Sequence, residues 1–207
     1  NNIAESIFKQ MAQETQPVPT WIVCGPGTGG TSVTLGRYVR YRRADTRILC
    51  VDPEHSVFFD FYRGALQGTT QPDMKHHCGS RIEGIGRPRV EASFIPQCVD
   101  AMAKIPDAIS LAAMRYASKR LGRRVGGSTG TNFVGVLAVA CAMAKAGRRG
   151  SIVTILCDSG DRYLHSYYNP EWYAKQGIDT VASDALIAEV AEGRGALELV
   201  MAGCGLG

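Results

Sequence analysis

The seven cysteines include no CxxC pair, and their odd number and wide spacing code no disulfide framework. A reducing compartment, the cytoplasm, is expected. No apolar stretch reaches the length of a membrane span and no signal-peptide pattern is present, so no membrane partner is expected. Charge of one sign is not in large excess. Lys+Arg 23 against Asp+Glu 19 gives +4, too small and too scattered to imply nucleic acid. The pairs Arg123-Arg124 and Arg148-Arg149 sit at the ends of predicted elements, as solvated helix-end charges do. Internal repeats and low-complexity segments are also missing.

What remains is an ordinary globular balance, 45% hydrophobic and 20% charged. With 207 residues the chain can bury one full core or two small ones. It opens Asn1-Asn2-Ile3, without Met, directly in an amphipathic helix with Ile3, Ile7 and Met11 at helical spacing. A start inside an element leads to the expectation of a longer polypeptide.

Glycine is the residue that organises the rest. Gly25-Pro26-Gly27-Thr28-Gly29-Gly30, closed by Thr31, follows the apolar run Trp21-Ile22-Val23-Cys24 and precedes a helical stretch from Ser32 to Arg43. Strand, glycine-rich turn and helix start, in that order, build an anion site: the first helical N–H groups and the positive end of the dipole face the ligand. Thr28 and Thr31 add hydroxyl donors. Gly25-x-Gly27-x-x-Gly30 also fits the dinucleotide fingerprint, with Asp52 after Ile48-Leu49-Cys50-Val51 where a ribose-binding acid belongs. A turn without a ligand is the plain alternative.

Strands are expected at 20–24 and 47–51, joined through the helix as a parallel, right-handed βαβ unit. Residues 53–80 show no clean period and are expected to be an irregular connection. They contain His76-His77-Cys78, but adjacent residues do not all face one ion comfortably and no fourth ligand is apparent, so no metal is expected. Asp107 should cap a helix that runs to Leu121 and stops at Gly122. Gly126-Gly127-Ser128-Thr129-Gly130-Thr131-Asn132 is a second glycine cluster, opening a helix from Phe133 to Ala146. Its glycines would let something flat lie close. Ser151 to Cys157 has the β-branched, apolar character of a strand, with Asp158 to Tyr163 turning out of its carboxyl edge. A short helix is expected from Ser183 to Glu192. The aromatic stretch Tyr163, Tyr167, Tyr168, Trp172 and Tyr173 suits packing or a subunit interface.

A second cluster mounted at a helix start is more than a dinucleotide site needs. A phosphate at the first turn and a ring at the second describe a small phosphorylated aromatic cofactor. Gly27-Thr28-Gly29-Gly30-Thr31 resembles the phosphate loop of the pyridoxal-phosphate enzymes of the cysteine synthase and cystathionine β-synthase family, the fold-type-II group. Ile82-Glu83-Gly84-Ile85-Gly86 resembles that family's glycine-bearing active-site segment. Gly126 to Gly130 is similar to the turn whose Ser, here Ser128, bonds the pyridine nitrogen, and Asp158 to Tyr163 to the segment after the last core strand. The wording around Cys50 to Ser56 and Gly84 to Glu91 looks most like the L-cysteine desulfhydrase branch.

The resemblance implies an α/β fold with a three-layer, open, mostly parallel sheet, and the cofactor pyridoxal 5′-phosphate. Gly27, Thr28, Gly29, Gly30, Thr31 and Ser128 would bind it, and Gly84 would line the substrate pocket. It implies α,β-elimination on L-cysteine to hydrogen sulfide, pyruvate and ammonia, with β-replacement as the near alternative and a homodimer as the assembly; the dinucleotide fingerprint keeps an NAD(P) oxidoreductase as the distant alternative, and a catalytically silent ligand-binding fragment is the third. The family's Schiff-base Lys and its substrate-carboxylate loop have no counterpart here. Residues 1–207 are therefore expected to be the C-terminal, phosphate-binding part of a longer enzyme, without a catalytic residue of their own.

Overall fold

The computed structural model describes residues 2–69, 75 and 79–207. His76-His77-Cys78 lies outside the described residues. Strands β1 (Trp21–Cys24), β2 (Arg47–Pro53), β3 (Ala101–Ile105) and β4 (Ile152–Thr154) run parallel. β5 (Val200–Gly203) is antiparallel to β3, giving the order β4-β1-β2-β3-β5. This is the open, mostly parallel α/β sheet that the sequence implies.

The strands are buried on both faces, and the period of two sorts their side chains into two cores. Ile22, Cys24, Ile48 and Cys50 point to one side. There they meet Ile7 of α1 (Ile3–Met11), Leu35 and Val39 of α2 (Gly30–Arg42), and Phe58 and Tyr62 of α3 (Phe58–Leu66). Trp21, Val23, Leu49 and Val51 point to the other side. They meet Ala113 of α4 (Asp107–Leu121), Val134 and Leu137 of α5 (Gly127–Lys145), and Ile187 of α7 (Val181–Ala191). Helix, sheet, helix makes the three layers. A smaller cluster of Ile82, Leu111, Met114, Val125, Tyr163 and Tyr167 roofs the carboxyl edge, with Trp172 and Tyr173 of α6 (Pro170–Gln176) packed against it.

Several elements differ from the sequence reading. α3 replaces part of the expected irregular connection: Phe58, Phe59 and Tyr62 form its buried face, although Gly64 and Gly68 nearby read as turns. β3, Ala-Met-Ala-Lys-Ile, has little β-branching to announce it and is fixed by pairing with strands on both sides. β4 has only three residues of the expected seven, because it pairs with β1 alone, over Trp21 to Val23. α5 begins at Gly127, so the second glycine cluster lies inside the helix rather than before it. α5 also corrects the expectation that no stretch reaches membrane-span length. It is long and apolar enough by length and composition, and its buried face packs on α4 and the sheet.

Candidate cofactor site

The carboxyl ends of β1 and β4 open onto a cavity of ≈ 580 Å³. Gly25, Gly27, Thr28, Gly30 and Thr31 line it on one side, Glu83, Gly84, Ile85 and Arg87 on another, and Ser128, Cys157 and Asp158 on a third. Four segments, drawn from residues 25 to 158, thus converge where open α/β sheets hold ligands.

The first wall is an anion cradle. α2 has Gly29 as its N-cap, with no side-chain cap bond and no acidic residue in the first turn. The first α-helical bond closed in the loop is Val33 N–H to Gly29 O at 3.0 Å, so the preceding amides have no intrahelical partner. The glycines divide their work. Gly29 has φ +90°, and a Cβ there would sit 2.6 Å from Phe94 Cα, so Gly29 shapes the turn. A Cβ on Gly27 would meet Gly84 O at 2.7 Å, which locks the loop to the second wall. Gly30 alone of the three leaves open space, with its nearest neighbour Thr28 Oγ1 at 3.8 Å.

The second wall is tied down at both ends. Gly86 N–H donates to Pro26 O at 2.9 Å, and Arg87 N–H to Ser56 Oγ at 3.0 Å. Glu83 N–H donates to the Tyr167 hydroxyl at 2.8 Å, and that hydroxyl donates to Arg81 O at 2.7 Å. Gly84 itself is exposed at φ +86°.

In the third wall Ser128 is the second residue of α5 and 5% exposed. The cap position belongs to Gly126, without a side-chain cap bond, so Ser128 is not a helix cap. Its hydroxyl makes no hydrogen bond within the described residues. The glycines around it face protein, not ligand: a Cβ on Gly127 would meet Tyr167 at 2.9 Å, and one on Gly130 would meet Met114 of α4 at 2.7 Å. The expectation that they clear room for a flat ligand is therefore corrected; they bring α5 close to its neighbours and leave Ser128 as the presented group. Beside it Tyr163 donates to Asp158 Oδ2 at 2.5 Å, and burial, then that carboxylate, push the Tyr163 phenol up.

Asp52 is elsewhere. It is fully buried, its Oδ2 accepts Phe59 N–H at 2.8 Å, and burial raises its pKa to about 7. It orders the start of α3 and is not among the cavity-lining residues, so the ribose role is gone. None of the six lysines lines the cavity either. Sequence reasoning did not single out Cys157 or Arg87 as lining residues, since only the fold turns them to the cavity; Ile85 lines it within the segment already matched, Ile82 to Gly86. It also missed a cluster of Glu54, His55 and Asp107 below the second wall. Asp107 is the first helical residue rather than the cap, and burial raises its pKa to about 7.

Fold and cavity define a class: an α/β protein with a phosphate-type cradle at a helix start and a free serine hydroxyl across from it. The model of the pyridoxal-phosphate dependent enzyme family matches residues 2–158, and the chain belongs to that family. It is 54% identical over 189 residues to the L-cysteine desulfhydrase Cds1 of Mycobacterium tuberculosis, covering 91% of this chain and 50% of that protein. To cysteine synthase 2 of Schizosaccharomyces pombe it is 28% identical, covering 86% and 45%. Among solved structures, the O-acetylserine dependent cystathionine β-synthase of Helicobacter pylori is similar with a TM-score of 0.55 and 29% identity, covering 77% of this chain and 46% of that one. The chain spans about half the length of the curated relatives it matches. The family's cofactor is pyridoxal phosphate. The residues present fit such a group, because uncapped amides, an open Gly30 and an unbonded Ser128 hydroxyl face one cavity.

Proposed function

We propose that this chain supplies the phosphate cradle and the ring-nitrogen contact of a longer pyridoxal-phosphate lyase that converts L-cysteine to hydrogen sulfide, pyruvate and ammonia. The observation that carries the proposal is the convergence of Gly27, Thr28, Gly30, Thr31, Gly84 and Ser128 on one cavity, with Gly29 shaping the turn behind them. The similarity to a cysteine desulfhydrase favours this reaction over others of the family. When bound, the cofactor supplies an electron sink that makes the α-proton of an amino acid labile.

The chain's own residues bind and orient. The amides at the start of α2 hold the phosphate dianion, preorganised and backed by the helix dipole. Thr28 and Thr31 add hydroxyl donors from the same turn. Ser128, which lines the cavity, would face the ring nitrogen with a neutral hydroxyl and, unlike a carboxylate, would not hold a proton on that nitrogen. A neutral partner would moderate the electron withdrawal that the bound cofactor supplies, which would suit a substrate with a leaving group on its β-carbon. Gly84 leaves the substrate face open, and buried Ile85 helps to exclude water. Trapping by an external thiol, as in a cysteine synthase, is the second reading, supported by the synthases among its relatives. Six free thiols among the described residues suit the cytoplasm.

The test uses the full-length protein, mixed with L-cysteine while sulfide and pyruvate are both measured. Equal release of the two, with a change in the visible cofactor band, is expected. Sulfide consumption with an activated serine, and no pyruvate, would replace elimination by synthesis. No visible band, with binding of NADH instead, would overturn the proposal.

A further inference from the structure

Asp107 opens α4 at 1% exposure, and neither of its carboxylate oxygens has a hydrogen-bond partner among the described residues. A carboxylate removed from water without partners is costly, so such a group calls for a proton or a cation. Its surroundings supply further donors. Pro53 and Ile105 are paired at the ends of β2 and β3, and Glu54 N–H donates to Ile105 O at 2.9 Å. This sets Glu54 and His55, leaving β2, beside Asp107, leaving β3. One ligand atom from each of Glu54, His55 and Asp107 lies within 4.8 Å of the others, and His55 Nε2 is 3.6 Å from Glu54 Oε1. The cationic side chain paired with Asp107 is Arg81, whose Nη1 lies 3.8 Å from Oδ2, beyond hydrogen-bond reach, on a side chain 38% exposed.

We propose that Glu54, His55 and Asp107 form a divalent-cation site of the Mn²⁺ or Zn²⁺ class, with solvent in the remaining positions. Two carboxylates balance the charge of the ion, and one imidazole favours these metals over Ca²⁺ or Mg²⁺. Bonds of about 2.0–2.2 Å require the donors to draw together from their present spacing. Glu54 and His55 are part-exposed on a turn at the end of β2, and Asp107 is buried at the start of α4. Arg81 competes with the ion and swings to solvent when it binds. The site lies next to the second wall: Arg81, paired with Asp107, precedes Glu83 by two residues, and a Cβ on Gly86 would touch Pro53 and Ser56, which flank Glu54 and His55. None of the three ligands lines the cofactor cavity, so the site is separate from the proposed reaction.

The test is titration of the chelator-treated, cofactor-loaded full-length protein with Mn²⁺, following free Mn²⁺ by electron paramagnetic resonance. Zn²⁺ is then added as a competitor. One saturable site per chain is expected, displaced by Zn²⁺, at least tenfold weaker in Asp107→Asn and several-fold weaker in Glu54→Gln. Arg81→Gln should bind several-fold more tightly, which keeps the proposal testable if Asp107→Asn does not fold. No saturable binding, or equal binding in the parent, Glu54→Gln and Arg81→Gln, would overturn it.

Discussion

Two glycine clusters open two helices in this chain, and they do opposite things. Around α2 the turn glycines shape the loop while Gly30 faces open space, so backbone amides are left for a ligand. Around α5 the glycines press against α4, Tyr167 and the Asp158–Tyr163 pair, so the cluster serves packing and presents a single side chain, Ser128. A missing Cβ is thus an anion site in one place and a helix contact in the other. The direction in which that Cβ would point decides between them.

The largest effect is expected where glycine meets backbone. Gly130→Val in α5 would drive a side chain into α4 and should cost about 3 kcal/mol or more of stability. The shift in denaturation midpoint measures it, and a shift below about 1 kcal/mol would break the comparison. Gly29→Val should come next, losing both stability and cofactor, since φ +90° and Phe94 together refuse a branched side chain. Gly30→Val separates the two clusters most sharply. Its side chain enters open space, so stability should change by less than about 0.5 kcal/mol while cofactor affinity falls roughly tenfold, about 1.4 kcal/mol. Equilibrium dialysis of the cofactor against the full-length variant checks this.

Ser128→Ala should leave the fold intact and lose one hydrogen bond, about 1 kcal/mol, seen as a shifted visible band and slower sulfide release. Ser128→Asp should alter the band further, because a carboxylate would hold a proton on the ring nitrogen. Unchanged spectra in both variants would leave Ser128 without a role at the ring. The smallest effect belongs to Thr28→Ala, whose exposed hydroxyl supplements backbone donors; a loss beyond about tenfold would mean that the hydroxyl, not the backbone, holds the anion.

The βαβ unit around the first loop was legible because strand, glycines and helix follow one another in sequence. The four ordered motifs also pointed to the family. What could not be read was anything set by partners distant in sequence. β3 is a strand because it lies between β2 and β5, and α3 because Phe58 and Tyr62 fill the space below the sheet. The same holds for the site: Gly27 and Gly84 are neighbours through a backbone contact that no spacing reveals. Glu54 and Asp107 meet only once β2 and β3 pair.

The central claim is that Gly27–Thr31 and Ser128 grip opposite ends of one phosphorylated ring. A crystal structure of the full-length protein with pyridoxal phosphate tests it most directly. The account predicts phosphate oxygens within hydrogen-bond distance of the amides at the start of α2, and the ring nitrogen facing Ser128 Oγ. A phosphate bound away from that turn, or a ring nitrogen facing any other side chain, would contradict it.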